Sequence, residues 1–404
     1  MPASPSTARA INDRLALRLL LREGPLTAGQ LKQFTGLSRP TVADLVERLT
    51  ASGLIEMVGE SGAQRRGPNA RLYAIVADRA YLAALDVRLE GVSVLVSDLV
   101  GRVLAEASVP IDGDSGTGPA VEQAVALVER AAKEAGAERL HTVGIGAPGL
   151  IDPATGELRD TTGLPAWHRR LVAALQERLP DARVVVENET NLAALAEQRD
   201  GAAHDRDTFV LLWLGMGIGA AIVLDGALRR GASGGAGEMG FLPVPGTRGL
   251  PSATDCEGGF HSLAGAGAVV ELARECGVLD GEGGGEAAEL VQWAVAAVAG
   301  AGVDTGRPDP ARGTAPAVRF LDTLADRLAL GVASVVALLD PGCVVLGGEV
   351  GQAGGDELAV RVAERIGRMS PLPAEVRPSI LGGAAVLRGA LLTAQDGAQD
   401  ELFG

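Results

Sequence analysis

The residues in this chain whose types and spacing suit chemistry are cationic, and they sit near the start. Ser38-Arg39-Pro40-Thr41 reads as the opening of a helix. Ser38 is an N-cap residue type, Pro40 carries the fixed φ of a first turn, and Val42, Leu45, Val46 and Leu49 recur on one face. A guanidinium at such a helix start can donate twice to O6 and N7 of guanine in a major groove. Thr41 beside it suits a phosphate or a thymine methyl. Farther on, Arg65-Arg66-Gly67-Pro68 forms a basic tip able to enter a narrow minor groove.

The surrounding pattern supplies elements to hold these groups. Ile11, Leu15, Leu19 and Leu20 predict a helix that Gly24-Pro25 closes. Thr27-Ala28-Gly29-Gln30 has capping-box form, and the second helix runs to about Phe34 with a stop near Gly36. After the third helix, residues 54–58 read as a strand, the Arg-rich stretch as a tip, and residues 70–75 as the returning strand. Three helices and a hairpin are a winged helix-turn-helix, in which the second helix braces the third. The candidate DNA contacts are Thr27, Gln30, Ser38, Arg39, Pro40, Thr41, Arg65, Arg66 and Gly67. Charge agrees: residues 1–79 hold 11 basic against 7 acidic groups, while the whole chain carries −15 and the remainder therefore −19. Phosphate attracts the first part and is repelled by the second. A helical hairpin serving only as a dimerisation handle explains the helices but neither the basic tip nor the asymmetry.

The remainder is long enough for a large core. Hydrophobic residues make up 47 % and aromatics 3 %, so that core is aliphatic. After a joint near 77–80, strands are expected at 82–86, 92–98, 103–108, 142–147, 184–187, 209–214, 218–224 and 343–346, with helices at 121–135, 260–276, 287–299 and 318–339. This is an α/β body of two lobes. Residues 277–313 read as glycine-rich, poorly ordered connections around one helix. No run of 18 apolar residues occurs, and Arg18 interrupts the apolar stretch 15–21, so neither a membrane span nor a signal peptide is expected. Cys256, Cys276 and Cys343 show no pairing scheme, which points to a reduced, cytoplasmic setting.

Five segments of the body carry a family resemblance. They are residues 144–152 (Gly-Ile-Gly-Ala-Pro-Gly-Leu-Ile-Asp), 185–194 (Val-Val-Glu-Asn-Glu-Thr-Asn-Leu-Ala-Ala), 214–226 with Gly215, Gly217 and Gly219, 234–240 (Gly-Gly-Ala-Gly-Glu-Met-Gly), and Val344-Val345-Leu346-Gly347-Gly348. In order and spacing the body resembles the ROK family of repressors and sugar kinases. The resemblance implies an actin-like, ribonuclease-H-like fold of two lobes around a sugar cleft, with residues 1–77 as a DNA-binding domain and 78–404 as an effector-binding and oligomerisation domain. The head in front is similar to the repressor branch, whose members commonly act as dimers or tetramers, and two DNA-reading heads on a symmetric dimer would favour a palindromic or repeated operator.

The resemblance also marks what has changed. Family kinases place an Asp after the Asn that matches Asn188, whereas this chain has Glu189, whose extra methylene moves the carboxylate by about 1 Å, enough to cost catalysis on the order of 10²-fold. The first phosphate loop matches Asp86-Val87-Arg88-Leu89-Glu90, without its glycines. Gly215-x-Gly217-x-Gly219 and Gly347-Gly348 survive. Of the implied zinc set, position 241 is Phe241 where the family has His, and only Cys256 and His261 remain nearby, short of four ligands. No ATP, zinc or other cofactor is therefore expected, and no catalytic residue. Asn188, Glu189 and Glu238 match positions that contact sugar, and a carbohydrate-like effector is expected there. The alternatives are an ATP-dependent sugar kinase with a DNA-binding domain, and an effector-free scaffold in which these polar residues only cap helices and tie loops.

Overall fold

The structure, a computed structural model, describes residues 5–61, 70–112, 114–159, 164–254, 257–279, 285–300 and 314–404. The tip residues Arg65, Arg66 and Gly67, and Cys256, lie outside the described residues.

The head comprises α1 (Pro5–Glu23), β1 (Leu26–Thr27), α2 (Ala28–Thr35), α3 (Arg39–Ala51), β2 (Ile55–Ser61) and β3 (Ala70–Ile75). Its strands form a small sheet in the order β1-β3-β2. The capping box at Thr27 forms with both of its hydrogen bonds, and α2 ends at Gly36, whose left-handed φ of 70° lets its N–H reach the Lys32 carbonyl. Leu31, Val42, Leu45, Leu49 and Ile55 fill the core between the elements. Helix α1 packs through Ala16, Leu17, Leu19 and Leu20, while Ile11 and Leu15 stay 58 % and 41 % exposed. The expected stripe is thus buried at Leu19 and Leu20 but not at Ile11 and Leu15, and the apolar contacts of α1 fall in its C-terminal half.

A single 3₁₀ turn at Ala77–Arg79 leads into the body. The first lobe contains β4 (Tyr81–Arg88), β5 (Gly91–Asp98), β6 (Val103–Pro110), α4 (Thr117–Glu134), β7 (Leu140–Ala147), α5 (Ala166–Arg178), β8 (Arg183–Asn188) and α6 (Glu189–Asp200). The second contains β9 (Phe209–Leu214), β10 (Ile218–Leu224), β11 (Ala227–Leu228), α7 (His261–Ala264), α8 (Ala266–Glu275), α9 (Ala287–Val298), α10 (Thr314–Leu339), β12 (Cys343–Gly347), α11 (Gly348–Met369) and β13 (Glu375–Pro378), after which α12 (Ala385–Phe403) returns to pack on β4, β7 and α6 of the first lobe. The sheets run β6-β5-β4-β7-β8 and β11-β10-β9-β12-β13. Each has three antiparallel strands followed by two parallel ones, so one topology is used twice.

Three cores result. Helices α4 and α5 cover one face of the first sheet, and α8 to α11 cover one face of the second. The third core lies between the sheets around α6 and α12, and it continues into the head through Leu82, Leu99 and Phe403 to Leu17 and Ile75. The helix expected at 260–276 is broken at Gly265, which is extended so that the Ala266 N–H donates to the Gly215 carbonyl at 3.1 Å. Among the described residues no helix is long and apolar enough to cross a membrane.

His168, 2 % exposed at the start of α5, packs edge-on against Trp167 with centroids 4.2 Å apart. Neither ring nitrogen has a well-formed hydrogen bond. Burial pushes the imidazole down to about 4, and the nearby Arg88 main chain only partly opposes this. The unfolded chain therefore binds a proton between pH 6.5 and about 4 that the folded chain refuses, and stability falls as pH drops through that window. A shift of this size corresponds to about 3 kcal/mol. His168→Leu is expected to remove that share of the acid sensitivity, read as denaturant midpoints from pH 7 to 4. An unchanged pH slope would contradict the assignment.

Candidate functional site

In the head, the start of α3 is built as the residue types require. The Ser38 hydroxyl accepts from the Thr41 N–H at 3.3 Å and lies 2.7 Å from the Thr41 hydroxyl. Ser38, Arg39, Pro40 and Gln30 are exposed and Thr41 is partly so. Among the described residues no ion pair or side-chain hydrogen bond engages Arg39. Thr27 departs from expectation. It is 8 % exposed, and its hydroxyl and main-chain N–H both donate to Gln30 Oε1 at 2.9 Å, which makes it the brace of α2 and closes it to a ligand. A residue that the sequence reading did not single out, Arg48, fixes the angle of α3: its guanidinium reaches Asp13 of α1 at 2.6 Å and also pairs with Asp44 one turn back. The Asp44–Arg48 spacing was the available signal.

The second cluster lies where the lobes meet. Asn188 ends β8 and caps α6, its Oδ1 accepting from the Thr190 and Asn191 N–H groups at 2.9 and 3.3 Å. Its Nδ2 donates to the Gly149 carbonyl at 3.1 Å and to Glu189 Oε2 at 2.7 Å. The amide is thus largely committed to the fold and presents Glu189 to the cleft. Although Glu189 keeps partial access to solvent, desolvation dominates and pushes its carboxyl up to about 8; Asp86 and Glu238 push the same way and Arg88 opposes them. Glu238 precedes a short 3₁₀ turn at Met239–Phe241, and burial raises its carboxyl too. Asp86, 5 % exposed, is raised by burial against the pull of Arg88. The structure therefore brings Asn188, Glu189 and Glu238 into one electrostatic neighbourhood.

Close backbone contact seals the cleft's floor. A Cβ on Gly234 would stand 2.0 Å from the Ile151 carbonyl oxygen, and one on Gly237 would stand 1.8 Å from that of Ala220, so both positions require glycine. Ion pairs cross the lobes on either side. Arg230, beyond β11, donates to Glu187 of β8 at 2.7 Å, and Arg88 of β4 donates to Glu349 of α11 at 2.9 Å. These two pairs escaped the sequence reading because no short-range pattern links their partners.

A nucleotide or a structural zinc fits poorly here. Arg88 and Glu349 fill the space beside the Gly215 turn with a formed ion pair. At the zinc position Phe241 offers no donor, and His261 is half-buried with its imidazole pushed down by desolvation. Among the described residues no group of three or more His, Cys, Asp or Glu is arranged to hold a metal ion.

These features define a class: a winged helix-turn-helix head on a two-lobed, sugar-kinase-like body. Residues 83–268 match the ROK family and residues 11–67 match the MarR family. It is similar to the xylose repressor of Bacillus subtilis, 25 % identical over 247 residues, which cover 60 % of this chain and 62 % of that protein. The chain thus spans about three fifths of the length of that relative. The crystal structure of a ROK family transcriptional regulator homologous to the Escherichia coli MLC protein superposes with a TM-score of 0.74, at 21 % identity and 98 % coverage of both chains. A ROK hexokinase from Thermus thermophilus gives 0.60 at 29 % identity, covering 79 % of this chain and 99 % of its own.

The raised Glu189 carboxyl has a sign that can be checked. The folded chain holds a proton there well above the usual carboxylate range, so stability is lost as pH rises from that range through about 8. Glu189→Gln, a neutral isostere, is expected to gain thermal stability over the wild type progressively between pH 6 and 9. Parallel melting curves for the two proteins across that range would contradict it.

Proposed function

We propose that this protein is a sequence-specific DNA-binding transcriptional regulator, a repressor released by a carbohydrate-like effector. Residues 1–77 act as the DNA-binding domain and residues 78–404 as the effector-binding and oligomerisation domain. The observation that carries the proposal is Arg39: an exposed guanidinium without an ion pair among the described residues, at the capped start of α3, in a chain of net charge −15. The second helix of such a motif holds the third in the major groove. Ser38, Arg39, Pro40 and Thr41 face the bases and nearby phosphates, Gln30 contacts the backbone, and Arg65, Arg66 and Gly67 reach a minor groove. Two heads on a symmetric dimer or tetramer fit a palindromic or repeated operator.

In the body, Asn188, Glu189 and Glu238 supply the hydrogen-bonding groups that a polyhydroxylated ligand needs. A mostly protonated Glu189 at neutral pH is suited to donate to a hydroxyl and poorly suited to remove its proton. Phosphoryl transfer is disfavoured further by the ion pair beside the glycine turn. The likeness to a hexokinase keeps a sugar kinase with a DNA-binding head as the competing reading. Sugar-dependent ADP release from ATP by the purified protein would decide for it.

Two outcomes test the regulatory reading. Arg39→Ala is expected to cost about 1–3 kcal/mol on operator DNA and to relax base preference at one position, measured by competition against single-base operator variants. Equal losses on operator and random DNA would make Arg39 a phosphate contact instead. An effector acts only through its differential affinity for two states, so the matching sugar should weaken operator binding by roughly 5- to 150-fold. A panel of hexoses, pentoses, amino sugars and sugar phosphates, read by thermal shift and operator release, checks this; silence in both readouts would remove the effector from the account.

A further inference from the structure

The glycine turn at 215–219 and the start of α11 converge at the mouth of the cleft. A Cβ on Gly348 would stand 2.4 Å from the Leu214 carbonyl oxygen, so the helix start is pressed onto the end of β9 just before the turn. A glycine turn beside a helix N-terminus is a place that favours negative charge. That charge is already supplied from within the chain. Glu349, in the first turn of α11, lies so close that a Cβ on Gly215 would stand 2.5 Å from its Oε2. Its other oxygen accepts from Arg88 Nη1 at 2.9 Å. The same guanidinium donates through Nε to Asp86 Oδ2, also at 2.9 Å. Asp86 and Arg88 belong to the first sheet, while Glu349 follows the strand β12 of the second.

We infer that Glu349 serves as a built-in anion on the glycine turn, and that Arg88 bridges it to Asp86 so that the two lobes are tied together without a nucleotide. Arg88 is a positioning residue in this account: it touches no ligand and sets the separation of the walls between which one would bind. The inference deepens the proposal that the cleft senses and does not phosphorylate, and it rests on that reading for its purpose. The fork geometry of Arg suits two carboxylates at once, which a lysine ammonium cannot match. Both Arg88 and Glu349 are nearly half exposed, so the tie is weak enough to open and is sensitive to salt. Asp86 is the buried anchor, 6 % exposed in its side chain. Glu189 is the other acidic group that Arg88 and Asp86 act on, so the guanidinium serves three acids, Asp86, Glu349 and Glu189.

The test is a double-mutant cycle in the full-length protein, read by amide hydrogen exchange. Glu349→Gln should speed exchange across the fold boundary, in residues 86–91 of the first lobe, and Arg88→Gln should speed it in residues 347–352 of the second, by roughly two- to fivefold each. The double variant should add nothing to either. Glu349→Asp, which keeps the charge, should restore most of the protection, and about 1 M salt should bring the wild type toward the variants. Changes confined to the mutated lobe, or full additivity in the double variant, would overturn the tie. Promoter DNA binding by the same wild-type preparation is followed in parallel; its failure would count against the regulatory reading and leave the cycle to decide the tie alone.

Discussion

The contact on which the rest of the structure depends is the seam between α6 and α12. A Cβ on Gly389 would stand 2.0 Å from the Leu192 carbonyl oxygen, and one on Gly144 of β7 would stand 2.3 Å from that of Ala390. Backbone therefore touches backbone on both flanks of α12, an approach that only glycine allows. Such closely packed interiors transmit displacement instead of absorbing it. Helix α6 opens at Asn188 and Glu189, the polar end of the cleft. Helix α12 ends at Phe403, in the same apolar core as Leu17 and Leu45 of the head. Cleft and head are thus joined by two helices and one continuous core. A change in lobe separation at the N-terminus of α6 has a short physical route to the angle at which α3 is presented.

Charge organises the same molecule differently. The body is strongly acidic, and a phosphate backbone near it is repelled unless the head holds it away. Within the cleft, burial first and then Asp86 and Glu238 push the Glu189 carboxyl up to about 8, which turns a position suited to a base into a hydrogen-bond donor. The pairs Arg88–Glu349 and Arg230–Glu187 then hold the lobes at two points on either side of that donor. A cleft built this way offers hydrogen bonds to a neutral polar ligand, as the proposed effector requires.

Much of this was legible before any coordinates, and the pattern of success has physical causes. The strands 209–214 and 218–224 follow from apolar runs with turn residues between them, and they form with those bounds. The Thr27 capping box and the Ser38 cap follow from side-chain chemistry that acts over three residues. Helix α6 went unrecognised as a helix because Thr190, Asn191, Leu192, Ala193, Ala194, Ala196 and Glu197 are all buried, so no polar face exists to set a period. The helices α5, α11 and α12 were missed as well, α11 being interrupted by glycines and kinked at Gly355. In the cleft, Asn188, Glu189 and Glu238 came from family resemblance, whereas Arg88–Glu349 joins positions 261 residues apart and no sequence spacing encodes it. Thr27 was named as a contact for its chemistry, and the fold uses that same chemistry to cap α2.

The central claim is that DNA at the head and a ligand in the cleft act on one mechanical unit. Coupling of binding free energies is reciprocal, so it can be sought without knowing the effector. Amide hydrogen exchange of the full-length protein, with and without a genomic fragment selected for binding, measures it directly. The account predicts that DNA alters exchange along α12 and at the start of α6, beyond the protection of residues 38–41. Changes restricted to residues 5–75 would contradict it.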